Sequence, residues 1–250
     1  MTAKDEYFLE TSSSKRIIVC LLDVFVSIST IRYLFFIARC ENMFHNREVR
    51  KKLSNGGQKM KTVILAEKPS QAKAYAETFQ QRKRHEGYYE ISDPLFAGEV
   101  TITYGFGHLV DMVAPGAYEE RWAKWSLENL PIFPETFRYE VPMDKRAQFS
   151  IVKRELQSAD TIIIATDGDR EGEAIAWSII RQANAFSKEK NYLRLWINSL
   201  EKEAIYEGFK NLQPGKNYFP KYKEAQARQN ADWLIGMNGS PLYSLLLQRK

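Results

Sequence analysis

Three carboxylates stand at alternate positions in Asp167-Gly168-Asp169-Arg170-Glu171-Gly172-Glu173. This segment follows residues 161–166, a short apolar run rich in β-branched residues that reads as a buried strand. While the backbone stays extended past a strand, alternate side chains point the same way, so Asp167, Asp169 and Glu171 are expected to converge. Two carboxylates about 4 Å apart repel by roughly 4 kcal/mol at an effective dielectric near 20. A hard cation removes that repulsion, and an all-oxygen donor set suits Mg²⁺. The same residues also suit a solvated acidic turn at the start of a helix, where the dipole favours Asp and Glu. A second segment bears on the choice. Glu67-Lys68-Pro69-Ser70 leaves another apolar run, residues 62–66, and in a parallel sheet Glu67 can meet the same site. Lys68 would set a positive charge beside the carboxylates, which suits a phosphate. Neither a GxGxxG turn nor a P-loop is present, so nucleotide binding has little support.

Composition narrows the chemistry further. The chain has 250 residues and a formal charge of +5, but the charge is uneven. Residues 1–59 hold 10 Lys and Arg against 6 Asp and Glu, and residues 60–250 hold 26 against 25. The body is near neutral, so the overall basicity says nothing about DNA. Both cysteines, Cys20 and Cys40, lie in the first part, which excludes a disulfide, a thiol nucleophile or a zinc-thiolate site from the body. Three histidines leave no polyhistidine metal site. Carboxylates, Lys, Arg and hydroxyls must carry whatever chemistry there is.

The elements that position these residues alternate between strand and helix. Strand 62–66 leads into a helix over 71–79, for which Ser70 is the expected N-cap. Residues 80–86 read as a charged surface connection. Strands follow over 88–91 and 99–104, then the turn Gly105-Phe106-Gly107-His108, where His108 is read as structural. Residues 112–135 contain Pro115, Gly116, Pro131 and Pro134 and form an irregular excursion carrying Trp122 and Trp125. A helix over 145–159, the strand 161–166, a helix to about 186, a strand over 193–197 and a helix over 201–212 complete the pattern. Gln213-Pro214-Gly215 breaks the chain, and a helix of different character covers 219–237. Such alternation implies an α/β fold with a mostly parallel sheet, flanking helices and ligands at the carboxyl ends of the strands.

The first 59 residues differ. Residues 17–38 are mostly apolar and long enough to span a bilayer. Asp23 and Arg32 lie inside them, each costing about 3 kcal/mol at the centre of a membrane helix. Lys15, Arg16 and Arg39 flank the run on both sides, and no small-residue cleavage site is present. A membrane anchor, an accessory helix and an upstream mis-start before Met60 are the three readings. The third is favoured by the strand pattern that opens at Lys61.

Taken in order, Glu67-Lys68-Pro69-Ser70, Gly107-His108-Leu109 and Ala165 through Glu173 resemble the Toprim domain of type IA DNA topoisomerases, and most closely the bacterial topoisomerase III branch. Residues 227–238, Ala-Arg-Gln-Asn-Ala-Asp-Trp-Leu-Ile-Gly-Met-Asn, resemble the segment that enters that family's DNA-gripping domain. The resemblance covers about residues 60–248. It implies a Toprim domain over 60–212 and the start of a helical domain over 213–250, in a cytoplasmic, Mg²⁺-dependent enzyme. Such an enzyme cuts one DNA strand, passes another through and reseals the first. Residues matching Glu67, Asp167 and Asp169 would hold the metal, with Glu171 close by. Lys68 would meet the scissile phosphate, and Arg170 would orient the carboxylates or reach phosphate. Trp125, Arg228, Asp232 and Trp233 would lie along single-stranded or negatively supercoiled DNA, although Trp125 and Trp233 suit core packing equally well.

Two departures qualify the match. The family's nucleophile is a tyrosine followed by Pro-Arg, and none of the 13 tyrosines here precedes a proline. After Asn238 the chain reads Gly239-Ser240-Pro241, where the family usually continues to Ser/Thr-Arg. The expectation is an amino-terminal fragment that binds metal and DNA but needs the missing carboxyl-terminal domains of the same enzyme to cleave. A Toprim nuclease or primase-like enzyme, using the same carboxylates without tyrosine, and a non-catalytic DNA-binding remnant are the alternatives. A chain starting at Met60 is expected to fold and remain soluble. Expression of both lengths, compared by melting and membrane fractionation, checks this. An insoluble short chain would overturn it.

Overall fold

The computed structural model describes residues 60–248, so the expectations for residues 17–38 and the two cysteines lie outside the described residues. A seven-stranded sheet organises everything else. At its centre β1 (Lys61–Ala66) pairs in parallel with β4 (Glu99–Tyr104) on one side and β7 (Thr161–Ala165) on the other. Beyond β7, β8 (Asn191–Arg194) extends the parallel layer. Antiparallel strands finish both edges. β3 (Tyr88–Ser92) and β2 (Gln81–His85) lie outside β4, and β9 (Gln213–Pro214) lies outside β8. A separate two-stranded ribbon joins β5 (Asp111–Met112) to β6 (Tyr139–Glu140).

Helices cover both faces. α1 (Pro69–Thr78) and α4 (Lys202–Lys210) share one face, where Ala72, Tyr75, Phe79, Ile205 and Phe209 pack on Ile64, Ile102 and Ile163. α2 (Arg146–Ser158) lies against β1 and β4 on the other face, and α3 (Arg170–Gln182) follows beside it. α5 (Phe219–Gln248) packs along α3, with Trp177 edge-on to Phe219. The central strands are continuously apolar because both of their faces are covered.

The architecture agrees with the α/β reading, with corrections. The charged stretch before Glu86 is a strand, β2, although its side chains are almost all exposed. Backbone pairing with β3 makes it one, and its cations discourage a further strand from adding to the free edge. Lys68, not Ser70, occupies the N-cap of α1. Pro69 takes the first helical position, and no side chain caps the helix. β8 ends at Arg194 rather than 197, where its register with β7 closes at the Ile164–Arg194 pair. The last helix runs to Gln248 through Pro241. The excursion after β5 is made of short 3₁₀ turns over Pro115–Ala117, Glu120–Ala123 and Leu127–Asn129.

One polar pair sits at the heart of this apolar fold. Arg194 and Glu173 are both 0% exposed and joined through Nε and Oε1. Burial pushes the Glu173 carboxyl above its ordinary range, while the Arg194 guanidinium and the Trp177 indole N–H pull it back. The rest of the guanidinium donates to the carbonyls of Ile164, Thr166, Leu195 and Asp167. Removing one partner of a buried pair costs about 3–5 kcal/mol. Glu173→Leu should therefore destabilise by about that amount in urea unfolding. The double variant Glu173→Leu/Arg194→Met should recover little, because four carbonyls lose their donor. A double variant as stable as the parent would show that the guanidinium holds nothing in place.

Candidate functional site

The loops that follow β1 and β7 lie side by side because Ala66 and Ala165 are register partners in the parallel ladder. Glu67 and Asp167 are thereby brought together from positions one hundred residues apart. Glu67 is only 5% exposed. Its Oε2 accepts the Asp167 backbone N–H at 3.2 Å, and its Oε1 lies 2.9 Å from Lys68 Nζ. Lys68 Nζ also donates to Asp167 Oδ2 at 3.3 Å. Gln71, one turn into α1, closes the ring. It accepts the Glu67 backbone N–H at 2.9 Å and donates to Asp167 Oδ1 at 2.7 Å. The hydrogen bond and charge of Glu67, and then those of Asp167, hold the Lys68 ammonium above its usual pKa against a small cost of burial. An ammonium thus stands between two carboxylates, as their mutual repulsion requires.

Asp169 and Glu171 take different directions. Asp169 is the N-cap of α3, and its Oδ1 accepts the Gly172 N–H at 2.7 Å. The helix begins at Arg170, so the extended backbone that would align Glu171 with Asp167 has already ended. Glu171 reaches instead to His108 Nε2 at 3.3 Å, from the turn after β4. The expected convergence of three carboxylates is therefore corrected. Among the described residues no group of three His, Cys, Asp or Glu side chains stands ready to hold a metal. Glu67 and Asp167 nevertheless fit a hard cation, since Mg²⁺ keeps several waters and is often held by one or two carboxylates. Gly172 is required by packing: a Cβ there would lie 2.3 Å from the Asp167 carbonyl oxygen. Thr166 Oγ1 donates to the Gly172 carbonyl at 2.9 Å and tightens the same loop.

The other sequence-derived residues are scattered. Arg170 Nη1 donates to Glu224 of α5 at 2.7 Å, away from the carboxylates. Trp125 is 57% exposed in the 3₁₀ excursion. Arg228 and Asp232 face one another along α5 at 3.6 Å, both in solvent. Trp233 is buried, edge-on to Tyr118 at 5.7 Å and to Phe137 at 5.8 Å. Of the two indoles, packing accounts for Trp233 and leaves Trp125 open. Gln71 escaped the sequence reading. A single glutamine in the first turn of a helix leaves no signal of its own in the sequence.

Residues 62–200 match the Toprim domain family. Over 182 residues, 72% of this chain, the sequence is 41% identical to DNA topoisomerase 3 of Bacillus thuringiensis (strain Al Hakam), Bacillus anthracis and Bacillus subtilis (strain 168). The matched region spans 24% of the length of each of those proteins. The family match takes in β1, the turn after β4, and the loop between β7 and α3, which are the elements that bring Glu67, Lys68 and Asp167 together. The chain belongs to the Toprim domain family.

Proposed function

We propose that this chain is the metal- and phosphate-handling part of a type IA DNA topoisomerase of the topoisomerase III branch, acting on single-stranded or negatively supercoiled DNA. The observation that carries the reading is the Glu67–Lys68–Asp167 group at the adjoining ends of β1 and β7. Phosphoryl transfer spreads charge over phosphate oxygens, and positioned cations stabilise it without a strong base in the protein. Lys68, half in solvent, can turn from its carboxylates to a phosphate oxygen. Glu67 and Asp167 would then hold Mg²⁺, with Asp169 a third ligand through the oxygen not used in capping and Glu171 beyond it. Bound there, the ion would polarise the phosphate. Gln71 keeps Asp167 in register with Glu67 while Lys68 moves. Arg170 would orient the acidic loop through α5. Trp125 and Arg228 would contact the strand, with Asp232 and Trp233 holding Arg228 and the helix in place.

The nucleophile lies elsewhere in this reading. Covalent transfer requires an attacking group within reach of the phosphate, and no tyrosine here precedes a proline. The missing carboxyl-terminal domains of the same enzyme would supply it, and the assembled protein would work in the cytoplasm. Among the described residues no helix is long and apolar enough to cross a membrane.

Two measurements test this reading. Mg²⁺ at one hundred times its dissociation constant should stabilise the chain by about 2.7 kcal/mol. Asn caps a helix as well as Asp, so Asp169→Asn should leave the metal-free melting temperature nearly unchanged and reduce the Mg²⁺-dependent gain. A gain equal to the parent's would remove Asp169 from the ligand set. Residues 1–250 with Mg²⁺ should neither relax supercoiled plasmid nor attach covalently to a single-stranded oligonucleotide. In the protein joined to its carboxyl-terminal part, Lys68→Ala should depress cleavage far more than binding. Relaxation by the 250-residue chain alone would sink the assignment of the nucleophile.

A further inference from the structure

Pro69 and Ser70, the two residues after Lys68, wall one end of a groove of about 450 Å³. Lys73 and Glu77 of α1, Arg82 and Arg84 of β2, and Tyr89 of β3 line the rest. Strand register explains the lining. Arg82 lies opposite Ile91 and Arg84 opposite Tyr89, so both arginines share the sheet face that packs on α1. Their neighbours turn to the other face, where His85 stacks on Tyr88 at 4.6 Å. The groove therefore gathers three cations against one carboxylate, Glu77, which stands 3.9 Å from Lys73. Among the described residues, neither Arg82 nor Arg84 has a carboxylate in an ion pair with it.

Aromatic rings continue from the groove towards the carboxylates. Tyr89 lies 6.5 Å from Tyr104, and Tyr104 lies 6.2 Å from Phe106, centroid to centroid. Arg84 sits near enough to Tyr104 to oppose the rise that burial imposes on its hydroxyl pKa. Phe106, 52% exposed, tops the turn after β4. The amides of Gly105 and Gly107 in that turn bond to the carbonyls of Ala66 and Glu67 at 3.1 Å. The row of rings thus ends in a turn whose backbone is bonded to the end of β1 and to Glu67.

We propose that this groove and its aromatic row form a second seat for single-stranded DNA, on the sheet edge away from α5. The inference rests on the DNA reading given above. Lys73, Arg82 and Arg84 would track phosphates, while Phe106, Tyr104 and Tyr89 would offer successive surfaces to unpaired bases. Basic grooves interleaved with aromatic platforms are how single strands are gripped without sequence preference. Duplex DNA cannot use the rings, because its bases are stacked on one another. An acidic peptide would use the cations and leave the rings idle.

Anisotropy of a labelled oligothymidylate, titrated with the full 250-residue chain across salt, tests the proposal. For a single strand, each phosphate that a cation neutralises adds about 0.7 to the steepness of log affinity against log salt. Arg82→Ala/Arg84→Ala should therefore reduce the slope by about 1.4, so that the loss of affinity at 50 mM salt exceeds the loss at 200 mM by about sevenfold. Phe106→Ala should weaken binding with the slope unchanged. All these side chains are exposed or half-exposed, and an unaltered melting temperature confirms the fold of each variant. Arg228→Ala serves as the comparison on α5. If the arginine pair changes neither slope nor affinity while Arg228→Ala does, the groove is not a seat and the DNA reading stands. If the pair acts and Phe106→Ala does not, the groove is a plain electrostatic patch and the aromatic row falls. Absence of binding by the parent chain at low salt overturns the DNA reading and the groove together.

Discussion

The position of the acidic loop depends on Arg194. A guanidinium with five N–H donors is strongly destabilising when buried unless every donor is met. Here it is met from two directions, by Glu173 of α3 and by carbonyls at and beyond the end of β7. The two ends of the acidic loop are thus tied to one side chain: the Asp167 carbonyl at its start and the Glu173 carboxylate at its finish. Between them Asp169 caps the helix and Gly172 allows it to close on the Asp167 backbone. With the loop fixed, the Asp167 amide can point at Glu67, and the carboxylates face one another across Lys68.

The same geometry assigns Lys68 a place in a charge balance. Two carboxylates held this close need a cation, and Lys68 supplies one from the residue adjacent to Glu67. A divalent ion and a phosphate arriving together change that balance. In the proposed reading Glu67 and Asp167 would hold a divalent ion, and the ammonium would be free to serve a phosphate. Because Lys68 is half in solvent, the exchange needs a side-chain rotation and no movement of β1. Its raised pKa contributes stability below the ordinary lysine range, which is lost only as pH climbs through the folded value. The lysine is charged throughout the physiological range, as either role requires.

Sequence patterns carried the sheet and the meeting of Glu67 with Asp167, and missed what locks them. The central strands were legible because burial on both faces makes them continuously apolar. The joining of Glu67 and Asp167 followed from parallel neighbours ending at the same level. β2 was not legible, since a free edge takes charged residues and erases the alternation that marks a strand. Glu171 was misplaced because the alternation rule assumes extended backbone, and the helix starts one residue before it. Arg194 was missed although it left a trace: a lone cation in an apolar strand demands a buried carboxylate. Only the fold reveals that Glu173, at the far end of the acidic motif, is the partner. Trp233 offered two readings that no spacing separates, and its packing between Tyr118 and Phe137 decides between them.

On the proposed reading, a near-neutral domain that handled a polyanion would have to solve its electrostatics locally. Residues 60–250 carry almost no net charge, and the candidate site itself is acidic. Long-range attraction therefore cannot deliver a strand to it, and within about 8–10 Å, the screening distance at moderate salt, its carboxylates repel one. What can deliver it is cation placed just outside the acidic loop. Basic groups stand outside the acidic loop: Lys73 of α1 beside Arg82 and Arg84 of the edge strand β2, and Arg228 on the helix packed along α3. Exposed rings accompany the first group at Phe106, and Trp125 stands exposed elsewhere on the surface. An acidic centre with basic flanks would bind a strand by its ends and present the middle to the carboxylates. In that arrangement affinity would reside in the flanks, and the centre would be left to select for a metal ion and a correctly placed phosphate.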